Sequence, residues 1–456
     1  MLTRSRLIGC RWRSLRRRVE IRYFLVSTCV LIGGLSCPSE TVRAPRARPE
    51  PAPAPLVLFF SGSTLGALKP CGCSGGQLGG IEKRPAIFGE VPASERLILD
   101  TGSLVQGDRE QDLIKFRVLF EAFRLLGYDA VSLTRQDLEV AQTLGLLGGQ
   151  EYPFELISSL WRGTNEGRRH RLDRQFRLQG RDITVSVATF DARTDVPEQA
   201  AALFESAAGG ARFNVLILQN SDSDSAVAWT EASGADCIVC SSTSDEPQIL
   251  SKPGATPLVF TVGRLGRHLC RVQVDFSRPD GSATAQLTDI PVSEDLPEEP
   301  ALVQLYKQYQ QLVAAANLLE NYPRVPLPDG LKYAGSKSCE SCHLYEYAMW
   351  HINPHADAFA TLVEVGSDRD PECVVCHVVG MDRDSGFITA EKTPGWKDVG
   401  CENCHGPGSA HNASQGLTLT TEPKSTCLDC HTPEHSSGYT GHEDEYREKI
   451  MHWWEP

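Results

Sequence analysis

Cys401-Glu-Asn-Cys-His405 is one of four copies of a single pattern, the others being Cys339-Glu-Ser-Cys-His343, Cys373-Val-Val-Cys-His377 and Cys427-Leu-Asp-Cys-His431. Each Cys-x-x-Cys-His is an attachment signature for c-type haem. Two thiols reach the two vinyl groups of one porphyrin, while the adjacent imidazole turns under the ring as the proximal iron ligand. The pattern predicts four covalently bound haem c groups, held by Cys339, Cys342, Cys373, Cys376, Cys401, Cys404, Cys427 and Cys430. His343, His377, His405 and His431 are the expected proximal ligands. The competing reading is a pair of zinc ribbons, each taking four thiolates from two Cys-x-x-Cys elements. Zinc ribbons do not require a following His, and with 12 His in 456 residues its recurrence after all four pairs selects haem. Cys237-Ile-Val-Cys240 is followed by Ser241 and is not such a site.

The four motifs fall within residues 329–456, about 30 residues per haem, which is too little protein for an ordinary core. The porphyrins are therefore expected to form the apolar interior, packed against Trp350, Phe359, Trp396, Trp453 and Trp454, with sparse helices and loops around them. Six further histidines lie here: His351, His355, His411, His435, His442 and His452. Ligation of every haem by two imidazoles would use four of them.

Upstream, residues 56–290 alternate apolar, β-rich runs with amphipathic stretches. Leu56–Phe60, Leu97–Leu99, Ile183–Ala188, Val215–Leu218 and Cys237–Val239 read as buried strands. Leu113, Phe116, Phe120, Phe123 and Leu126 share one helical face that stops at Gly127. This is layered α/β architecture. Residues 291–328 form a connector with a helix over Leu302–Leu319, ended by Pro323, Pro326 and Pro328.

Residues 1–36 carry eight Arg and one acidic residue ahead of a short apolar run, Tyr23–Leu35, and read as an export signal. Gly34-Leu35-Ser36-Cys37 resembles a bacterial lipobox, so lipid attachment at Cys37 is an expectation. The Pro-rich stretch over 37–55 is a spacer holding the body off a membrane. The predicted location is the periplasm or the outer face of a membrane. Removing residues 1–36, with their net charge of +7, takes the chain from −13 to about −20. That disfavours nucleic acid and favours redox partners with basic surfaces.

Two resemblances follow from these runs. Leu97-Ile-Leu-Asp-Thr-Gly102, Leu126-Gly-Tyr-Asp-Ala-Val131 and Ala235-Asp-Cys-Ile-Val239 resemble, in order and spacing, the five-prime nucleotidase branch of the calcineurin-like metallophosphoesterases. The likeness implies that fold over roughly residues 55–290. The ligand motifs of that family are replaced here. Its Asp-x-His-Gly matches Ser63-Thr64-Leu65-Gly66 and its Gly-Asp matches Gly102-Ser103. Its Gly-Asn-His-Asp matches Thr134-Arg135-Gln136-Asp137, a later Ser-His matches Gln219-Asn220, and its Gly-His-Thr-His matches Ser241-Ser242-Thr243-Ser244. Ser, Leu, Arg and Gln cannot hold two cations and generate a hydroxide nucleophile, so a hydrolase is disfavoured. His170 and His268 match no ligand position and read as ordinary histidines.

The Gly-rich loop Lys69-Pro-Cys-Gly-Cys-Ser-Gly-Gly-Gln-Leu-Gly-Gly80 follows the first strand, where the parent fold places its active-site loop. Structural disulfides involving Cys71, Cys73, Cys237, Cys240 and Cys270 are the plainer expectation. A redox dithiol of Cys71 and Cys73 exchanging electrons with the haems is the sharper one, and a mononuclear thiolate metal site a third.

From Tyr333 onward the chain resembles the tetrahaem cytochromes that accept electrons from hydroxylamine oxidation in ammonia oxidisers. The likeness is carried by Tyr333–His343, Trp350–Phe359 with Pro354-His355, Pro371–His377, Gly400–Gly408 with His411, and Cys427–His435. It implies His355 and His411 as distal iron ligands, with His435 and His452 next. The leading function is an exported electron carrier whose degenerate phosphoesterase-like domain docks a partner or positions the haems. The alternative is a redox enzyme, acting on a small nitrogen or oxygen species at an open haem or through Cys71 and Cys73.

Overall fold

A computed structural model describes residues 55–70, 76–148, 152–161, 170–178, 180–205, 211–278, 282–421, 423, 427–433, 435–436 and 438–452. The expected leader and Pro-rich spacer up to residue 54, together with Cys71, Cys73, Trp453 and Trp454, lie outside the described residues.

Residues 55–291 build two sheets. The first contains β1 (Leu56–Ser61), β2 (Arg96–Asp100), β3 (Ala130–Ser132), β4 (Glu155–Ile157), β10 (His268–Asp275) and β11 (Thr284–Pro291), ordered β11-β10-β1-β2-β3-β4. The second contains β5 (Arg171–Leu178), β6 (Arg181–Asp191), β7 (Ala211–Gln219), β8 (Cys237–Cys240) and β9 (Leu258–Thr261), ordered β5 to β9. β1 to β4 run parallel, as do β6 to β9, and β5, β10 and β11 add antiparallel edges.

Side-chain alternation explains the layering. In β1, Leu56, Leu58 and Phe60 point one way and meet Val185, Val187, Val215 and Ile217 of the second sheet. Val57 and Phe59 point the other way, under helix α2 (Glu110–Leu126), where Phe116, Phe120 and Phe123 cover them. The outer face of the second sheet, including Phe190, Leu216 and Ile238, is covered by Phe204 of α4 (Pro197–Glu205) and Trp229 of α5 (Ser223–Ala232). The result is helix, sheet, sheet, helix, the layered α/β fold that the apolar runs predict. Helix α2 ends at Gly127, whose φ of 71° closes it in the left-handed region.

The connector helix, α6 (Pro300–Ala315), is shorter than its expected span and begins on Pro300 at its first turn. Its buried face, Leu302, Leu305, Tyr309 and Val313, joins the core beneath α2. The connector is thereby part of the α/β body, while Leu319 beyond it packs with Phe359, Val374, Val378 and Phe387 in a separate small cluster.

The C-terminal region is helices and turns: α7 (Leu344–His351), α8 (Ala358–Val365), α9 (Pro371–Val374), α10 (Cys401–His405), α11 (Ser409–Ala413) and α12 (Glu443–Lys449). Phe359 and Trp396 lie in or against its one apolar cluster. Trp350 donates its ring N–H to the Val399 carbonyl at 2.9 Å. Among the described residues no helix is long and apolar enough to cross a membrane.

Candidate functional site

Short helical turns position the Cys-x-x-Cys-His motifs. Asp370 caps α9, accepting from the Glu372 N–H at 3.0 Å, and so fixes Cys373 in the first turn. In α10 the residue between Cys401 and Asn403 is Glu402, buried, whose carboxylate accepts from the N–H groups of Ala334, Gly335 and Gly408 at 2.7–2.8 Å. Glu402 thus ties the start of the first motif to the third. The variable positions of the motif give no sign of this in sequence.

The motifs are neighbours in one group, the third reaching both the first and the fourth. The thiols of Cys339 and Cys401 lie beside each other, as do those of Cys376 and Cys430.

Six of the histidines stand in three close pairs. His343 and His411 have ring centroids 5.9 Å apart, His355 and His431 6.2 Å, and His405 and His452 6.0 Å. Two imidazole nitrogens each about 2 Å from a shared iron would place their centroids about 6 Å apart, so this donor set fits haem iron. The second ring nitrogen is used as well. Nδ1 of His411 bonds the Thr418 carbonyl at 2.8 Å, and Nδ1 of His452 the Ile450 carbonyl at 2.9 Å. Nδ1 of His377 bonds the Ala358 carbonyl at 2.6 Å. A carbonyl can only accept, so Nδ1 carries the proton and Nε2 keeps its lone pair for a metal. Burial lowers the pKa of His355, His405 and His431, favouring the neutral, ligating form.

His435 faces none of the motif imidazoles. Its Nδ1 meets the Thr432 hydroxyl at 2.9 Å, and its carbonyl accepts from Gln77 of the α/β body. His351 stacks on Tyr347 and His442 lies beside Glu445. All twelve histidines are among the described residues; His377 is in none of the three pairs, and the imidazole whose charge interacts with it, His355, is the one paired with His431.

The α/β body grips the second motif directly. Asp370 accepts from the Tyr309 hydroxyl of α6 and from the Gln111 amide of α2, each at 2.7 Å. Lys115 of α2, its stem buried, pairs with Glu372 next to Cys373. Neither Tyr309 nor Asp370 belongs to a motif, and sequence reading passes over both.

The loops after β1, β2, β7 and β8 meet at a cleft of about 490 Å³, at the carboxyl ends of the strands, where α/β folds place ligands. Four non-glycine residues around it have positive φ: Ser63 at 46°, Leu65 at 53°, Ser103 at 59° and Asn220 at 53°. These occupy the ligand positions of the metallophosphoesterase resemblance. Each costs on the order of 1 kcal/mol relative to right-handed backbone. Loop pairing holds them, with Ser63 N bonded to Gly102 O at 2.8 Å, Leu65 N to Ser103 O at 3.1 Å and Gly66 N to Leu104 O at 2.7 Å. Asp137 supports the second loop, accepting from the N–H groups of Ser103, Leu104 and Thr134 at 2.8–3.0 Å. The loop backbone is held tightly, and the groups at those positions are hydroxyls, an amide and an alkyl chain. They do not fit a dinuclear metal centre, and among the described residues no group of three or more His, Cys, Asp or Glu could hold a metal ion.

Beneath these loops Asp100 is fully buried, bonded by the Ser61 hydroxyl at 2.6 Å and the Gly102 N–H at 2.9 Å. Burial pushes its pKa from 3.8 up to about 6. The native state therefore holds this proton more tightly than the unfolded chain. Its contribution to stability is present below about pH 4 and is lost as pH rises to about 6, a change of about 3 kcal/mol at 1.4 kcal/mol per pKa unit. In denaturant titrations from pH 4 to 7, the stability difference between the native chain and Asp100→Asn should shift by that amount in the variant's favour. A flat difference would show that Asp100 titrates normally.

Among the described residues the thiols Cys237, Cys240 and Cys270 are free, so the disulfides expected to include them are not formed there. Cys237 and Cys240 sit three apart on β8 and point into opposite layers. Burial pushes the Cys237 and Cys270 thiols well up and Cys240 up to about 11, which suppresses thiolate chemistry. The Cys71 and Cys73 pair lies outside the described residues.

Closely paired imidazoles beside Cys-x-x-Cys-His motifs define a c-type haem module attached to a layered α/β body. Residues 338–406 match the family model described as cytochrome c554 and c-prime. Cytochrome c-554 of Nitrosomonas europaea is 33% identical over 91 residues, which cover 17% of this chain and 39% of that protein. The match thus spans about two fifths of its relative's length. It supports covalently bound haem c and a haem-based electron-transfer role.

Among solved structures, the 5'-nucleotidase precursor from Thermus thermophilus is similar with a TM-score of 0.44 and 14% identity, covering 69% of this chain and 68% of that one. The NAD nucleotidase of Haemophilus influenzae has a TM-score of 0.44 and 12% identity, covering 62% and 64%. These likenesses are distant, and the α/β architecture stands on the strand order itself.

Proposed function

We propose that the chain is an exported electron carrier with four haem c groups, in which the α/β body positions the haems and has no hydrolytic role. The three imidazole pairs at 5.9–6.2 Å carry this reading. Haem c, when bound, supplies a one-electron redox centre. The chain's own part would be to present His343 with His411, His431 with His355 and His405 with His452 to the haem irons. It also brings the attachment thiols of separate motifs side by side, Cys339 with Cys401 and Cys376 with Cys430, as short electron-transfer distances require. The charge of about −20 without residues 1–36 favours a basic redox partner. Haem c attachment, which normally occurs outside the cytoplasm, together with the leader-like segment supports export, with lipid attachment at Cys37 as the means of anchoring.

One observation favours a second reading. Among the described residues His377 is in none of the three imidazole pairs, and His355, the imidazole whose charge interacts with it, is paired with His431, so a haem held by His377 would have a side without a histidine ligand, at which a small nitrogen or oxygen species could bind. Electron paramagnetic resonance of the oxidised protein, with haem content measured on the same sample, tests both readings. Three low-spin centres and one high-spin centre per chain are expected. Four low-spin centres would leave the carrier and remove the second reading, and a haem-free protein would overturn both in favour of zinc.

A further inference from the structure

Helix α2 sends two side chains, one turn apart, to the segment that opens the second motif. The Gln111 amide donates to Asp370 at 2.7 Å, and Lys115 pairs with Glu372. Lys115 is only 6% exposed, whereas the Glu372 side chain that answers it is 58% exposed. A buried ammonium loses its hydration, and a carboxylate screened by water offsets little of that loss. Stabilisation alone therefore does not account for a lysine here. The loop after β1 makes room for it. Gly66 has a φ of 81°, and a Cβ there would stand 3.0 Å from Cδ of Lys115 and 3.5 Å from its Nζ. Backbone thus lies along the lysine stem where a side chain would obstruct it, and the ammonium is directed at the motif.

The haem-bearing segment is itself negative at this point. Asp370 and Glu372 are both carboxylates, and the donors to Asp370, the Tyr309 hydroxyl, the Gln111 amide and the Glu372 N–H, are neutral. The Cys373 thiol, next along the chain, senses all these charges before haem is joined to it. Burial first, then Asp370 and Glu372, push its pKa from 9.0 up to about 12, against which the Ser367 hydroxyl and Lys115 pull it down. The α/β body thereby sets a positive charge against two carboxylates at a haem attachment point. A haem iron takes up one negative charge on reduction. A nearby cation favours the reduced form and a nearby carboxylate the oxidised form, the more strongly where water is excluded.

We propose that Lys115 is a charge-positioning residue for electron transfer, by which the α/β body raises the reduction potential of the haem on Cys373, Cys376 and His377. This rests on the haem reading above and gives the α/β body a part in tuning one haem as well as holding it.

Potentiometric titration of the full haem-loaded chain, with haem content and far-ultraviolet circular dichroism measured on each sample, tests this. Lys115→Met keeps the apolar stem and removes the charge. It should move one haem wave to lower potential by about tenfold in the reduced-to-oxidised ratio, about 59 mV for a one-electron centre, and leave the other waves in place. Lys115→Arg should keep the native potential. Glu372→Gln breaks the same ion pair from its exposed side and should move the same wave upward. A purely structural pair would give shifts of the same sign in Lys115→Met and Glu372→Gln, so equal signs, or no shift in either, would overturn the proposal. Should Lys115→Met not fold, Glu372→Gln decides by itself, a downward or absent shift overturning the proposal. A chain without haem would overturn instead the reading on which it rests.

Discussion

Alanine at position 411 should turn one haem of this protein from low spin to high spin, moving about a quarter of the total haem iron between the two signals if four haems are bound. His411 is the residue for the test because its role is doubly fixed: its ring stands 5.9 Å from His343, and its Nδ1 is held by the Thr418 carbonyl at 2.8 Å. Removing the ring takes away the one imidazole facing His343, and a methyl group offers the iron nothing in its place. Alanine at His355 or His452 should give the same quarter-sized change at the haems of His431 and His405. Alanine at His435 should leave the spin balance untouched, since that ring is turned to Thr432. If His435→Ala converted a haem and His411→Ala did not, the pairing drawn here would be wrong.

Asp370→Ala should cost about 3 kcal/mol. The carboxylate caps α9, and loss of a cap costs about 1 kcal/mol. It is also the acceptor for the Tyr309 hydroxyl at 2.7 Å, on a side chain only 2% exposed. A buried hydroxyl stripped of its acceptor costs a further 1–3 kcal/mol. Tyr309→Phe deletes the donor with little change of shape and should cost about 1 kcal/mol. Chemical denaturation of the haem-loaded chain, followed by tryptophan fluorescence, measures both. Equal losses in the two variants would mean that the Asp370 contact with Tyr309 adds nothing beyond the cap.

The motifs and the layered body were legible because each rests on a local signal. Four fixed spacings named the haem sites, and the 3.6-residue spacing of Phe116, Phe120 and Phe123, closed by Gly127, named α2. Strand β5, Arg171-Leu-Asp-Arg-Gln-Phe-Arg-Leu178, gave no such signal. It is an edge strand with charged residues on its open side, so its composition resembles that of a loop. β11 escaped notice for the same reason, with most of its residues partly or fully exposed. The His355 with His431 and His405 with His452 pairs unite residues far apart in the chain, brought together by turns whose paths no periodicity encodes. The cleft lay between these extremes. The replaced ligand positions were readable, but the positive φ angles of Ser63, Leu65, Ser103 and Asn220 were not.

The contact of Tyr309, Gln111 and Lys115 with the Asp370 to Cys373 segment bears on the order in which this protein is assembled. Helices α2 and α6 draw their packing from the α/β core, which carries no haem motif and, on the export reading, crosses the membrane ahead of the haem-bearing segment. A finished docking face is therefore waiting when the haem-bearing segment emerges on the same chain. Tethering makes the encounter intramolecular, at an effective concentration on the order of millimolar. The α/β body would thus serve as a built-in mould, holding one attachment motif in its final shape while the rest of the haem region, poor in core of its own, is still being completed.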